Sequence, residues 1–392
     1  LLTGEPHPVM GAIQVADEAE RTKPKAGIKS IPFASLAYQL LLRSYVGTGQ
    51  LDEARDAMKG LEAVGGGDGE QITEMYKQLG KELQNELERL KGLNQTQQLT
   101  TVRKSFESFL GEMFKRPDQT AGSLTWIAET YYGLAQGSND DPAQSAVYLE
   151  RAADTYQKIL DKSAEDASFI EDARRLMGVR LRLANCRRFQ GDHELAMTLL
   201  KKILGSEKGE NYLDAQIEAA STLQSWGESD PEKYVRARSG LKIGKEDRAK
   251  IWGWAKLAGM MQRKMQMSPA DKEKFQTKLY DARYNLSLCK QLHGEAQPTP
   301  AKKKEVLSAA RAEIYAFAQI TPDIPDEYWD KFDELYGKIL SGLGEPVVAL
   351  ERPKQIQPMT QADRKKKKAD EKKAKKKKAT AANMAIPIMT MT

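Results

Sequence analysis

Apolar residues recur every three or four positions along most of this chain, in segments separated by short Gly, Pro, Asp or Asn breaks. This spacing places apolar side chains on one face of an α-helix. Alternating Val, Ile and Thr runs, which would predict strands, are nearly absent. The pattern predicts an all-α protein with about fourteen helices. Their approximate ranges are 33–48, 51–64, 70–92, 98–115, 120–136, 142–161, 165–190, 192–205, 210–226, 231–240, 246–267, 270–293, 301–320 and 327–343.

Four of the breaks place a capping side chain before a proline: Asp141-Pro142, Asp230-Pro231, Ser268-Pro269 and Thr299-Pro300. The cap accepts a backbone N–H, and proline is tolerated at the first helical position because its missing N–H has no partner there. Short links between helices predict antiparallel hairpins. Such hairpins can form a closed bundle or an extended solenoid, and the absence of long crossovers favours the solenoid.

One spacing occurs more than once: a start position is followed by Gly, Ala and two apolar residues at intervals of seven, five, four and three. The first copy is Leu42, Gly49, Ala54, Met58 and Leu61, and the second is Ala184, Gly191, Ala196, Leu200 and Ile203. A third copy begins with Ser287 and Gly294, before an insertion at 295–300. We expect the alanines where paired helices approach most closely, and the glycines to end the first helices in a left-handed conformation.

These segments resemble tetratricopeptide repeats, helical hairpins of roughly 34 residues that stack into a right-handed superhelix. The resemblance is good at 36–64 and 178–204, partial at 281–294 with 301–320, and weak at 121–160. Leu42 departs from it, because the family has a small residue there. The resemblance implies a right-handed α-solenoid of antiparallel helical hairpins over 31–343, preceded by an N-terminal segment, 1–30.

The resemblance also implies that the first helix of each hairpin lines a groove for an extended peptide or a partner helix. Asn185 matches the asparagine of the family's carboxylate clamp, but Leu181 replaces its lysine, so capture of a C-terminal carboxylate is not expected. The apolar groove positions suit an apolar or amphipathic partner, and the alternative is that some pack against adjoining repeats. The groove candidates are Gln39, Arg43, Val46, Leu181, Asn185, Arg188, Phe189, Tyr284, Leu288, Gln291 and Leu292.

Two segments interrupt the helical pattern. The glycine-rich stretch 65–69 predicts a flexible joint; it lacks the Lys-Ser/Thr pair of a nucleotide-binding loop. The helix predicted after it carries Ile72, Tyr76, Leu79 and Leu83 in a stripe that resembles a short coiled coil, and a long hairpin helix packed on its neighbour is the favoured alternative. From 344 onward, prolines and low-complexity sequence predict a disordered tail over 344–392.

The chain has 61 Lys+Arg and 55 Asp+Glu, a formal net charge of +6. The polybasic block, 364–378, contributes eleven basic and two acidic residues, which leaves −3 for the remaining chain. A solvated tail without a partner, nonspecific binding of nucleic acid through phosphates, and attraction to anionic lipid are all open. The candidate polyanion contacts are Arg364, Lys365, Lys366, Lys367, Lys368, Lys372, Lys373, Lys375, Lys376, Lys377 and Lys378.

The sequence gives little support for catalysis or metal binding. Cys186 and Cys289 are 103 residues apart, which argues against a disulfide or a shared metal site with His193 and His293. None of the three histidines has a catalytic motif around it. We therefore predict a protein that is not an enzyme and has no cofactor and no metal.

No run of 18 apolar residues predicts a transmembrane helix. The start at Leu1, without methionine, suggests a mature form or a fragment. We predict a cytoplasmic, non-enzymatic protein–protein interaction scaffold, with self-association as a further option. The alternative is a nucleic-acid-associated or ribonucleoprotein assembly factor that uses the polybasic block.

Overall fold

The computed structural model describes residues 31–48, 50–64, 85, 87–93, 95–115, 119–138, 141–243 and 249–353. These residues are helical almost throughout, so the all-α prediction is confirmed for this part of the chain. The first helices are α1 (Ile31–Thr48), α2 (Leu51–Val64), α3 (Thr96–Lys115), α4 (Ala121–Gly137), α5 (Pro142–Glu165), α6 (Ala173–Phe189) and α7 (His193–Leu204). They are followed by α8 (Leu213–Trp226), α9 (Glu232–Ser239), β1 (Leu241–Ile243), β2 (Ala249–Ile251), α10 (Trp254–Met267), α11 (Lys272–Glu295), α12 (Pro300–Ile320) and α13 (Asp326–Leu343).

The chain divides into two compact units, unit 1 (Leu1–Lys264) and unit 2 (Met265–Thr392). In unit 1, α1 packs on α2, α4 on α5, α6 on α7, and α8 on α9. Contacts also join helices that do not follow one another in the chain, α1 with α3 and α6 with α8. Links as short as 190–192, between α6 and α7, leave packed neighbours antiparallel.

The repeated spacing marks the packed positions of two hairpins. Leu42 and Ala54 are buried between α1 and α2, and Ala184 and Ala196 are fully buried between α6 and α7. The small side chains of Ala54, Ala184 and Ala196 let the helix axes approach closely. Gly191 has a φ of 80°, so the predicted left-handed helix end is confirmed there.

Gly294 corrects the prediction made for the third copy. It lies inside α11, which continues to Glu295, rather than ending the helix in a left-handed conformation. A Cβ at this position would lie 2.7 Å from Leu307 Cδ2 of α12. The glycine therefore serves close packing between α11 and α12.

The helix starts follow the predicted caps in two of four cases. Asp141 Oδ1 accepts the N–H of Gln144 (3.1 Å), and Thr299 Oγ1 accepts that of Lys302 (3.4 Å). Pro231 precedes α9, whose first N–H, from Glu232, is accepted by Asp230 Oδ1 (3.2 Å). Ser268 makes no side-chain cap, and a short 3₁₀ turn separates it from α11. A proline after a polar residue thus marked a helical start but not its cap geometry.

A β-hairpin lies where the sequence pattern predicted the start of a helix at 246. Strands β1 and β2 are antiparallel, with Leu241 opposite Ile251. Gly240, with a φ of 82°, turns the chain out of α9 into β1. The buried side chain of Gln216 on α8 accepts the Trp252 N–H at 2.7 Å and so fixes the exit of β2. The helix therefore starts at Trp254. Gln216 and Gly240 favour the strand pair, and both lie outside the segment whose pattern predicted a helix from 246.

Unit 2 contains α11, α12 and α13 around one apolar core, which includes Tyr280, Ile314, Phe317 and Phe332. The residues that follow α13, 345–353, have no regular secondary structure and lie against α12 and α13. We call 345–353 the strap. The sequence analysis placed these residues in a disordered tail starting at 344, whereas Leu350 is part of the core of unit 2. Within the described residues, no helix is long and apolar enough to cross a membrane.

Candidate partner-binding surface

Two of the predicted groove residues on α6, Asn185 and Arg188, bind side chains of the neighbouring helices. Asn185 accepts a hydrogen bond from the Tyr132 hydroxyl on α4 at 2.5 Å. Its Nδ2 donates to Glu218 Oε2 on α8 at 2.9 Å. The Asn185 side chain therefore links α6 to both α4 and α8.

Arg188 forms an ion pair with the same carboxylate. Its Nε lies 2.6 Å from Glu218 Oε1, and its Nη2 lies 3.4 Å from Oε2. The side chains of Arg188 and Glu218 are only 15% and 11% exposed. Such a two-point contact fixes the orientation of both groups, and burial makes the loss of either one costly.

A second ion pair crosses from α6 to α4 at the surface. Arg182 Nε lies 3.1 Å from Glu129 Oε1, and both side chains are more than 40% exposed. The Arg182 guanidinium also lies 5.2 Å from the centre of the Tyr132 ring. Burial raises the pKa of Tyr132, so its hydroxyl remains a donor to Asn185 at physiological pH.

We call this set the polar ladder; its members are Glu129, Tyr132, Arg182, Asn185, Arg188 and Glu218. Two arginines balance two carboxylates, so the ladder carries no net charge. Phe189 lies at its edge, 55% exposed, with the Arg188 guanidinium 4.2 Å from its ring centre. The sequence analysis identified Asn185, Arg188 and Phe189 but missed the ladder members on α4 and α8, because their partners are 30 to 53 residues away in the chain.

The α1 candidates belong to the first described hairpin of unit 1. Gln39 is half-buried and Arg43 is exposed, while the side chain of Val46 is outside the described residues. Phe33, Leu36 and Leu40 follow one another at helical spacing on α1, and about half of each side chain is exposed. Leu181, the remaining α6 candidate, is half-buried.

Two of the α11 candidates, Tyr284 and Leu288, pack on the core of unit 2. The Tyr284 ring meets Phe332 of α13 edge-on, with 5.8 Å between ring centres. Leu288 is half-buried and packs against the same core. Gln291 is buried and Leu292 half-buried. Tyr284 and Leu288 thus pack on the adjoining helix, the alternative that the sequence left open.

Unit 1 also has a cleft of about 460 Å³ between α3 and α5, with Tyr131 of α4 in its lining. Glu107 accepts hydrogen bonds there from the Tyr148 hydroxyl and from Gln144 Nε2 (3.3 Å). Gly111 lines the cleft, and beyond the neighbouring backbone of α3 no atom lies within 4 Å of the position that its Cβ would take. The lining residues are Lys104, Glu107, Ser108, Gly111, Phe114, Lys115, Tyr131, Arg151, Asp154 and Thr155.

The side chains of Cys186, Cys289 and His193 occupy packing positions. Burial raises the pKa of Cys186 to about 12, which keeps its thiol protonated and unreactive at neutral pH. The His193 ring stacks with Trp226, 6.1 Å between centres, and burial lowers the pKa of His193. In the part of the chain that the structure describes, no three His, Cys, Asp or Glu residues are grouped to hold a metal.

Several predicted features lie outside the described residues. These are the segment 1–30, the joint 65–69, the first part of the helix predicted at 70–92, and the polybasic block 364–378. No model of a known protein family matches the chain, and no curated protein matches it either. The tetratricopeptide resemblance therefore stays a prediction based on residue spacing.

Proposed function

We propose that this protein is a non-enzymatic scaffold that binds a peptide or a helix of a partner protein across α4, α6 and α8. In this proposal the hairpins stack as a right-handed solenoid, and α4, α6 and α8 are the first helices of three successive hairpins. The packing of α6 on both α7 and α8 supports such a stack. The two cysteines are buried and are not joined in a disulfide, which suits a reducing compartment such as the cytoplasm.

The observation that carries the proposal is the polar ladder with Phe189 beside it. Hydrogen bonds and ion pairs join side chains of three helices, so the surface is preformed and little ordering is needed when a partner binds. Its balanced charge favours a partner with mixed polar and apolar side chains. Phe189 offers a large exposed ring, which is the kind of residue that anchors interfaces.

A site-specific photo-crosslinker in place of Phe189 tests this surface directly. A matched control carries the crosslinker in place of Thr198, which is exposed on α7. We expect a discrete crosslinked partner from position 189 and none from position 198. Arg188 is a poor choice for substitution, because its loss leaves Glu218 buried without its counter-ion.

A second comparison separates binding from folding. Phe189→Ala removes an exposed ring and its contact with the Arg188 guanidinium, so circular dichroism should be unchanged and the free energy of unfolding should fall by no more than about 1 kcal/mol. Partner affinity should fall at least about tenfold, as at a hot spot. The same crosslinked species from both positions, or partner affinity unchanged in Phe189→Ala, would refute the choice of this surface.

The alternative function, nucleic-acid association, is favoured by the +9 charge of the polybasic block. Lysine-rich segments bind phosphates without reading bases, and their affinity falls steeply with salt. The test compares the full chain with a chain ending at 360, using unrelated DNA duplexes and RNAs over a salt series. Equal binding by the two chains at moderate salt rejects this alternative.

A further inference from the structure

The strap lies extended along one stripe of α13. Arg352 Nη2 lies 2.6 Å from Asp326 Oδ1, and its guanidinium is 4.7 Å from the centre of the Trp329 ring. The Leu350 N–H donates to Asp333 Oδ1 at 2.5 Å. These α13 residues follow at spacings of three and four, so they share one face of the helix.

Gly337 continues the same stripe at the next helical turn. A Cβ at Gly337 would lie 3.3 Å from Val347 Cγ1, so the glycine gives the strap room. Gly337 is eleven residues after Asp326, which corresponds to about 16 Å along the helix. Arg352 is five residues after Val347, which corresponds to about the same length in an extended chain. The strap therefore runs along α13 in register, antiparallel to it.

Helix α12 also contacts the strap, and residues later in α12 contact residues later in the strap. Arg311 pairs with Glu345 at its start, and Gln319 Nε2 donates to the Glu351 carbonyl oxygen at 3.0 Å near its end. Two side chains, those of Gln319 and Asp333, thus bind backbone groups of the strap. Recognition of backbone groups, with one pocket for a side chain, is how proteins bind extended peptides.

The docking of the strap depends mainly on one residue. Leu350 is 4% exposed, whereas Val347 and Val348 are 65% and 57% exposed. The side chains of the ion pairs at the two ends are more than one third exposed, and solvent-exposed pairs contribute little to stability. Pro346 and Pro353 bracket the segment and favour an extended backbone, which lowers the entropy lost on docking. This segment is held as a peptide is held, by one apolar anchor and a few directional contacts.

We propose that the groove between α12 and α13 is a binding site for an extended peptide with a leucine followed two residues later by an arginine. The strap is its internal occupant, and a partner segment of the same chemistry competes with it. This site belongs to unit 2 and shares no residue with the polar ladder. If no peptide binds there, the proposal for α4, α6 and α8 is unaffected.

The test uses full-length protein and a fluorescein-labelled peptide of strap sequence, Gly-Glu-Pro-Val-Val-Ala-Leu-Glu-Arg-Pro, followed by anisotropy. In the wild-type chain the strap competes at the high effective concentration of a tethered segment, so binding should be weak. Leu350→Ala removes the anchor of the strap, and we expect it to tighten peptide binding at least about tenfold. A second variant, Arg352→Glu, weakens the strap only through exposed contacts and should tighten binding by a smaller factor.

Two controls assign the signal to the groove. Gly337→Leu, added to Leu350→Ala, places a side chain where Val347 lies and should abolish binding. A labelled peptide with alanine in place of leucine should bind neither the wild-type protein nor the Leu350→Ala variant. Tryptophan fluorescence and circular dichroism check that each variant remains folded. The proposal is overturned if Leu350→Ala and Arg352→Glu both bind the peptide no better than wild type, or if Gly337→Leu leaves the binding intact.

Discussion

The buried ion pair of the polar ladder gives the sharpest prediction about stability. Glu218→Ala leaves the Arg188 guanidinium, whose side chain is 15% exposed, without its carboxylate and leaves Asn185 Nδ2 without its acceptor. Removal of one partner of a buried pair costs about 3–5 kcal/mol. Because both side chains keep some contact with water, we expect about 3 kcal/mol for Glu218→Ala, the low end of that range.

A double substitution separates the unpaired charge from the loss of packing. In Arg188→Met with Glu218→Leu, both charges are replaced by apolar groups, a change that is often neutral or stabilising. Asn185 still lacks its acceptor, which costs about 1 kcal/mol. We therefore expect the double variant to regain most of the stability lost in Glu218→Ala.

Glu129→Gln serves as the matched control, because it removes an exposed ion pair between α4 and α6 and should cost about 0–1 kcal/mol. Urea unfolding followed by tryptophan fluorescence is a suitable assay, since Trp126, Trp226, Trp252 and Trp254 belong to unit 1. Equal losses in Glu218→Ala and Glu129→Gln would refute the reasoning. So would a double variant as unstable as Glu218→Ala.

Three further predictions concern glycine positions and a buried thiol. Gly111→Ala should stabilise the protein by about 0.5–1 kcal/mol in urea unfolding, because α3 gains a better helix former and the added Cβ meets nothing within 4 Å. Gly294→Ala should instead destabilise it by about 1–3 kcal/mol, since its Cβ would overlap Leu307; a stabilised variant would contradict this packing. Burial raises the pKa of Cys186 to about 12 in the folded state, against 9.0 for an exposed thiol. Between these pH values the folded state keeps a proton that the unfolded state loses. The contribution of this thiol to the free energy of unfolding is therefore fully present below pH 9 and is lost as pH rises toward 12. Above pH 9 the free energy of unfolding should fall less steeply with pH in Cys186→Ala than in wild type. The same pH dependence in both proteins would show that the Cys186 thiol does not contribute to it.

The positions of the helices and of two packed hairpins could be predicted from the sequence. Helical periodicity is a local property, and the spacing that links Ala184, Gly191 and Ala196 reflects the contact between two helices joined by a three-residue turn. Gly294 shows the limit of this reasoning. The same residue at the same spacing packs inside a helix, because Leu307 of the next helix requires the space.

The candidate site was predictable only in part. Asn185, Arg188 and Phe189 follow from their positions on α6, but the sequence could not show that Glu218 neutralises Arg188 and leaves Phe189 as the exposed group. The tertiary structure decides such pairings, because they join helices separated by long stretches of chain. It also places β1 and β2 inside a predicted helical region and docks the strap on α13, since both depend on partners that no local pattern specifies. The sequence by itself determined the helical architecture of this protein through local periodicity, and the tertiary packing decided which of its side chains remain available to a partner.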